Sequence, residues 1–174
     1  MKPLSFSKIL LSLLLVPLMW SCQQQVDVAK QWRQQNEEAF ASYEENPEWE
    51  KVSLPGLENY VMMKWSTHGT GTDYPIETSR VKIHQEIHRI VGSNTFLGGN
   101  FDQEIPITVT LNRNESEQVI IGLRIALQNM VVGDEAQVVI PWYLAYGEVQ
   151  QGNITPYTAL RYVLRLDEII PEEA

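Results

Sequence analysis

Val119-Ile120-Ile121-Gly122-Leu123, then Met130-Val131-Val132-Gly133, then Ile140-Pro141-Trp142-Tyr143-Leu144-Ala145-Tyr146-Gly147 decide how this chain folds. Val119, Ile120, Leu123, Ala126, Leu127 and Met130 recur at three- and four-residue steps. That spacing predicts an amphipathic helix over 116–130, with Gly133 just past its end. Glu135 to Ile140 switches to the two-residue period of a strand, and so does Ala159 to Ile169. In the latter, Leu160, Tyr162, Leu164 and Leu166 face one way while Arg161, Arg165 and Asp167 face the other. A helix, a hairpin and an aromatic loop in this order can build a concave apolar cup with one hydroxyl at its lip. No nucleophile–base pair or metal-ligand cluster accompanies it, so a function by shape and desolvation is expected.

Upstream of this block the pattern is one of strands and turns. Tyr60 to Trp65, Val81 to Ile90 and Pro106 to Leu111 each suit a strand, and Gly69 to Pro75 is turn-rich. One helix among antiparallel strands implies an α+β domain, its sheet wrapped over the helix. Ahead of it, Ala29, Trp32, Asn36, Phe40 and Tyr43 form a narrow stripe on a polar helix predicted over about 27–45. Asp27 could cap that helix and Asn46-Pro47 ends it. It suits a spacer packed on the domain or, alternatively, a dimerisation helix. Residues 47–56, with Pro47 and Pro55, have the composition of a linker, which sets a tether at 22–56 and a domain at 57–174.

The first residues have a separate purpose. Lys2 and Lys8 precede an apolar run from Ile9 to Trp20 that ends at Ser21-Cys22, the layout of an export signal over 1–21. Cys22 is the only cysteine of the 174 residues, so no intramolecular disulfide can form. The segment resembles bacterial lipoprotein signals, apart from the bulky Trp20. That resemblance implies lipidation of Cys22 and an anchored location in a bacterial cell envelope; an ordinary signal with a leftover thiol is the alternative. Removing 1–21 takes two lysines and no acid, leaving 11 basic against 22 acidic residues, a net charge of −11. Such a surface repels phosphate backbones, so nucleic acid is not an expected partner.

From Tyr60 to Ile169 the chain resembles the FKBP-type peptidyl-prolyl cis-trans isomerases, most strongly over Val119 to Tyr162. Val119-Ile120-x-Gly122 with Met130-x-Val132-Gly133 is similar to the family's pocket helix and its exit, and Leu144-Ala145-Tyr146-Gly147 to its signature loop. Gly69-x-Gly71-x-x-x-Pro75 followed by Val81-x-Ile83-His84 is similar to its first strands. The resemblance implies a curved five-stranded antiparallel sheet around one short helix, and isomerisation of X–Pro bonds in polypeptides without a cofactor or metal. It implies that the Ile120 N–H and the Tyr146 hydroxyl hold substrate carbonyls. Phe96, Val119, Leu123, Ile154, Tyr162, Ile107 and Val109 would line the cup. The chain departs from the family at Leu123, where the floor is usually tryptophan, at Gln85 and Leu97, and at Ile107 and Val109, where aromatics are usual. These changes argue against efficient turnover and against tight binding of the family's macrolide inhibitors. They leave open a peptide-binding chaperone or scaffold of an envelope machine, and the layout is similar to lipoproteins of this type in gliding Bacteroidetes.

Other patterns have plainer readings. His84 and His88 share a strand face about 13 Å apart at roughly 3.3 Å per residue, too far for one ion. Gly69 to Thr72 lacks the Lys-Ser/Thr and helix of a phosphate loop. Asn114-Glu115-Ser116 and Asn153-Ile154-Thr155 match glycosylation acceptors but suit a helix cap and a loop.

Overall fold

The period-two run near the C-terminus folds as the spine of the sheet. Leu160, Tyr162, Leu164 and Leu166 are buried on one face of strand β7 (Leu160–Ile170), with half-buried Arg161, Val163 and Arg165 between them. This computed structural model describes residues 28–93, 95–112, 114 and 119–171; Cys22, Asp27 and the export signal lie outside them. Helix α1 runs through 28–44. It is followed by β1 (Glu50–Ser53), β2 (Tyr60–Thr67), β3 (Arg80–Arg89), β4 (Phe96–Gly99), β5 (Ile107–Thr110), helix α2 (Ile121–Leu127), β6 (Glu135–Ile140) and β7. A short 3-10 turn, Trp142–Leu144, lies between the last two.

All seven strands join one antiparallel sheet in the order β1-β2-β6-β7-β3-β4, with β5 also paired to β3. Five lateral positions match the five-stranded expectation, from β2 to the outer edge of β3. That outer edge is split, because β5 pairs Arg80 to Ile83 and β4 pairs Glu86 to His88. The sixth position is β1, which corrects the expectation of a linker over 47–56. Glu50 to Ser53 pair with Met63 to Tyr60 through a turn at Pro55-Gly56, so the sheet begins ahead of residue 57. An edge strand of four residues with only Val52 turned inward has no alternation long enough to read.

The two sheet faces bury different partners. Val61, Met63, Ala136, Val138 and Ile140 meet α2 in the main core, while Met62 and Val139, pointing the other way, meet Phe40 of α1. Trp32, Asn36, Phe40 and Tyr43 thus lie on the chain's own sheet side, and the stripe is not a free dimerisation face. On the polar side of α1, Arg33 meets Glu37 and Gln34 meets Glu38, each at 2.8 Å and four residues apart. No described helix is long and apolar enough to cross a membrane.

Helix α2 is shorter than the predicted 116–130. Residues 115–118 lie outside the description, and Ile120 is extended, with φ −58° and ψ 155°. At the other end Asn129 and Met130 donate to Ala126 and Leu127, tightening the last turn. The apolar face survives the shortening, since Leu123, Ala126, Leu127 and Met130 are all buried. Gly122 explains the close approach of helix to sheet, because a Cβ there would lie 2.2 Å from Cγ2 of Ile140.

Candidate functional site

Three elements bring the expected pocket residues together. The first is the entry to α2. Val119 donates to the Thr110 carbonyl at 3.3 Å, which ties the entry to β5. Among the described residues the N–H of Ile120 has no acceptor, as suits the unfilled start of a helix. Leu123, one turn on, is buried beneath it.

The second element is the aromatic loop. Pro141, with φ −65°, starts the 3-10 turn, and its carbonyl accepts from Leu144 at 3.0 Å and Ala145 at 3.2 Å. Leu144 is driven into the core, and Gly147 turns back at φ 64° to donate to the Trp142 carbonyl at 2.9 Å. Tyr146 is held between these two bonds, half-buried against the core. Further along, Ile154 is buried where it exchanges backbone hydrogen bonds with Gln151 at 2.9 and 3.0 Å. The Tyr157 N–H reaches the Gly147 carbonyl at 2.8 Å and closes the loop.

The third element is β7, whose Tyr162 is almost fully buried in the cluster against which Tyr146 packs. Burial, and then Tyr146, push the Tyr162 hydroxyl well above its ordinary value of 10. Its proton is therefore retained at any physiological pH.

Leu123, Ile154 and Tyr162 belong to one buried cluster, with Val109, Val119, Ile120 and Tyr146 packed against it. Phe96 and Ile107 do not belong to it: Phe96 is 57% exposed and Ile107 37% exposed. The Phe96 ring lies edge-on to His88, centroids 5.6 Å apart. Leu97, its neighbour on β4, reaches the cluster instead, as do Leu144 and Ile87. Only Leu144 carried a sequence signal, through its place in the signature loop.

The remaining polar clusters have structural partners. His84 is buried, its Nδ1 2.7 Å from Asp167 Oδ2 and its Nε2 3.0 Å from the Gln103 carbonyl. His88 is paired with Glu86 at 2.9 Å. Among the described residues no three His, Cys, Asp or Glu side chains are grouped to hold a metal ion. Asp134 receives the N–H groups of Gly69 at 2.8 Å and Val131 at 2.7 Å. The Gly69-x-Gly71 turn can then lie directly on residues 132–134, where a Cβ on Gly69 would meet the Val132 carbonyl oxygen at 2.3 Å. A groove of about 470 Å3, lined by Leu54, Pro55, Leu57, Ile121, Ile125 and Gln128, uses none of the expected pocket residues.

Comparisons with known proteins agree with this geometry. The chain is similar in structure to a peptidyl-prolyl cis-trans isomerase from Pseudomonas syringae pv. tomato (TM-score 0.67, 23% identity, covering 82% of this chain and 96% of that one). It is also similar to FkpA from Escherichia coli (TM-score 0.71, 19% identity, covering 99% of this chain and 76% of that one). A third likeness is to a multi-domain immunophilin from Arabidopsis thaliana (TM-score 0.58, 23% identity, covering 72% and 47%). At these identities the likeness speaks for the fold. A comparison with the curated proteins returns no match. The sequence model described as FKBP-type peptidyl-prolyl cis-trans isomerase matches residues 71–167, from the glycine turn through α2 and the aromatic loop to β7. Because that match takes in more than half the chain, this protein belongs to the FKBP-type peptidyl-prolyl cis-trans isomerases.

Proposed function

We propose that the cup bounded by Val119, Ile120, Leu123, Tyr146, Ile154 and Tyr162 is where this isomerase turns X–Pro bonds of exported polypeptides. The observation that carries the assignment is the convergence of those six residues, from three separate elements, on one apolar cluster. A planar X–Pro amide is held by resonance, and rotating it costs about 18–20 kcal/mol in water. Water favours the planar form because it is the more polar one. A prolyl ring seated on Leu123, Ile154 and Tyr162 leaves its amide short of water, which lowers the relative cost of the twisted form. Each ~1.4 kcal/mol of such preference is tenfold in rate.

Two donors orient the substrate. The Ile120 N–H takes a carbonyl at the floor, and the Tyr146 hydroxyl takes another at the lip. Tyr146 packs against the cluster that contains Tyr162, and this packing holds its hydroxyl at the lip. No proton is exchanged with the peptide. The aliphatic floor at Leu123 gives a slower enzyme than a flat indole would. The pattern at 1–22 and the acidic surface support an envelope location, with a lipid anchor on Cys22 and α1 between anchor and sheet.

Exchange of a proline-containing peptide, followed by NMR line shape with the purified full-length protein, tests the assignment. Wild type accelerates cis–trans exchange, and Tyr146→Phe lowers kcat/KM by about 2- to 10-fold, the worth of one hydrogen bond. Peptide binding without any acceleration overturns the catalytic assignment and leaves a peptide holder. For the anchor, Cys22→Ala should move the protein from the membrane to the soluble fraction; unchanged membrane association overturns it.

A further inference from the structure

The buried stripe of α1 contains one polar residue, Asn36, which has no exposed surface. Its Nδ2 donates to the Trp32 carbonyl and its Oδ1 accepts from the Ala159 N–H, both at 2.9 Å. Ala159 is the buried residue at which the aromatic loop hands over to β7. One turn earlier on the helix, the Trp32 indole donates to Thr158 Oγ1 at 3.2 Å, and Thr158 in turn donates to the Thr155 carbonyl at 2.8 Å. Helix α1 therefore grips the loop where it leaves, next to Ile154.

It also grips the loop where it starts. Glu37 Oε1 accepts from the Trp142 indole at 3.1 Å and from Arg33 Nε at 2.8 Å. The Arg33 guanidinium lies 4.7 Å from the Trp142 ring and 5.5 Å from the Tyr157 ring, and those rings meet edge to face at 5.0 Å. Tyr157 has φ 61°, a conformation that a non-glycine residue holds only when its surroundings impose it. Between the two grips the bonds of Gly147 to Trp142 and of Tyr157 to Gly147 fix the backbone that carries Tyr146.

We infer that α1 is a working part of the site: a clamp on the loop of residues 142–159, with Asn36, Trp32 and Arg33 as positioning residues for Tyr146 and Ile154. None of the three touches substrate, and α1 lies wholly ahead of residue 71, where the family match begins. The inference rests on the isomerase site proposed above. Its consequence is that turnover depends on the segment linking the domain to whatever holds its N-terminus.

Three measurements on the full-length protein test it: isomerisation kinetics, peptide-resolved hydrogen exchange, and thermal melting. Asn36→Ala removes the Ala159 bond; Arg33→Ala, on an exposed side chain, loosens the Trp142 end without risk to the core. Both should raise exchange within 142–159 by tenfold or more while leaving β3 unchanged, and both should lower kcat/KM at least threefold, mainly in kcat. Kinetics within twofold of wild type in both variants would sink the clamp. Exchange rising equally in β3 and in 142–159 would also overturn it, since that reports general loosening. If wild type proves inactive, the exchange arm still decides the clamp, and the failure falls on the activity alone.

Discussion

The two sides of the proposed cup are built differently. One wall, from α2 through the aromatic loop to β7, comes from a stretch of chain in which Leu123, Ile154 and Tyr162 are buried and cross-tied. The other side would come from β4 and β5, four residues each, which pair on the split outer edge of β3. Between them Asn100 substitutes for a ladder. It is buried, takes the Gln85 N–H on Oδ1 at 2.9 Å, and sends Nδ2 to the Ile83 and Ile105 carbonyls at 3.3 Å. Gly99 must be glycine there, for at φ 153° a Cβ would lie 2.3 Å from the Gln85 carbonyl oxygen. A wall with few ladder bonds and exposed apolar side chains has low local stability. The lesson is that the Tyr146 side is built to hold its geometry, whereas the Phe96 side is built to give way.

Truncation should expose that contrast most strongly. Tyr162→Ala removes a buried ring from the firm wall and should cost about 3–5 kcal/mol in denaturant unfolding, judged by aromatic-to-alanine changes in cores. A loss under ~1 kcal/mol would mean that this wall is no better packed than the other. Next in size is Gly122→Ala, whose new methyl would press on Ile140 2.2 Å away. Overpacking of this kind costs about 1–3 kcal/mol, and a variant as stable as wild type would show that helix and sheet can part freely.

The firm wall was legible in the sequence because its signals are local. The helical period around Leu123, the alternation around Tyr162 and the Leu144 to Gly147 signature each lie within a few residues of what they shape. Strand β5 was readable over Pro106 to Leu111, but not that Val109 alone reaches the core while Ile107 stays open, and around Phe96 no alternation is long enough to say which side faces inward. Gly98 and Gly99 break the pattern on β4, and the register with β3 shifts between Ile87 and His88. Leu97, read only as a departure from the family, is the β4 side chain that packs on the core. Strand β1 was missed for the same reason. The helical stripe on α1 was readable with Asn36 in it, but what Asn36 binds was not, since its partner Ala159 is 123 residues away.

Alkaline pH separates the inner and outer faces of the sheet. Burial holds the Tyr162 hydroxyl well above 10, and on the other face the hydrogen bond from Tyr60 to Glu44 pushes Tyr60 up to about 12. An unfolded tyrosine titrates near 10, so below that pH both states keep these protons and stability is flat. Above it the unfolded chain releases protons that the fold retains. Stability then falls, by up to about 1.4 kcal/mol per pH unit for a fully buried group such as Tyr162. Tyr162→Phe should flatten the fall clearly and Tyr60→Phe more weakly, because Tyr60 is the more solvated. Equal slopes in urea melts between pH 9.5 and 11.5 for wild type and Tyr162→Phe would contradict the inner-face burial.

The smallest change in stability belongs to Phe96→Ala, and it decides whether the yielding wall is part of the site. With more than half of its surface exposed and only a ring edge on His88, Phe96 contributes little to the fold, so unfolding should move by no more than about 0.5 kcal/mol. If the ring closes over a bound prolyl peptide, burying its open face is worth about 1 kcal/mol. That contact exists equally in the planar and twisted complexes, since the wall adapts to both. Removing it should therefore raise KM roughly fivefold with kcat unchanged, the signature of uniform binding. A fall in kcat at constant KM would instead place Phe96 against the twisting amide and make the two walls equals. No change in either would confine the site to the wall that carries Tyr146.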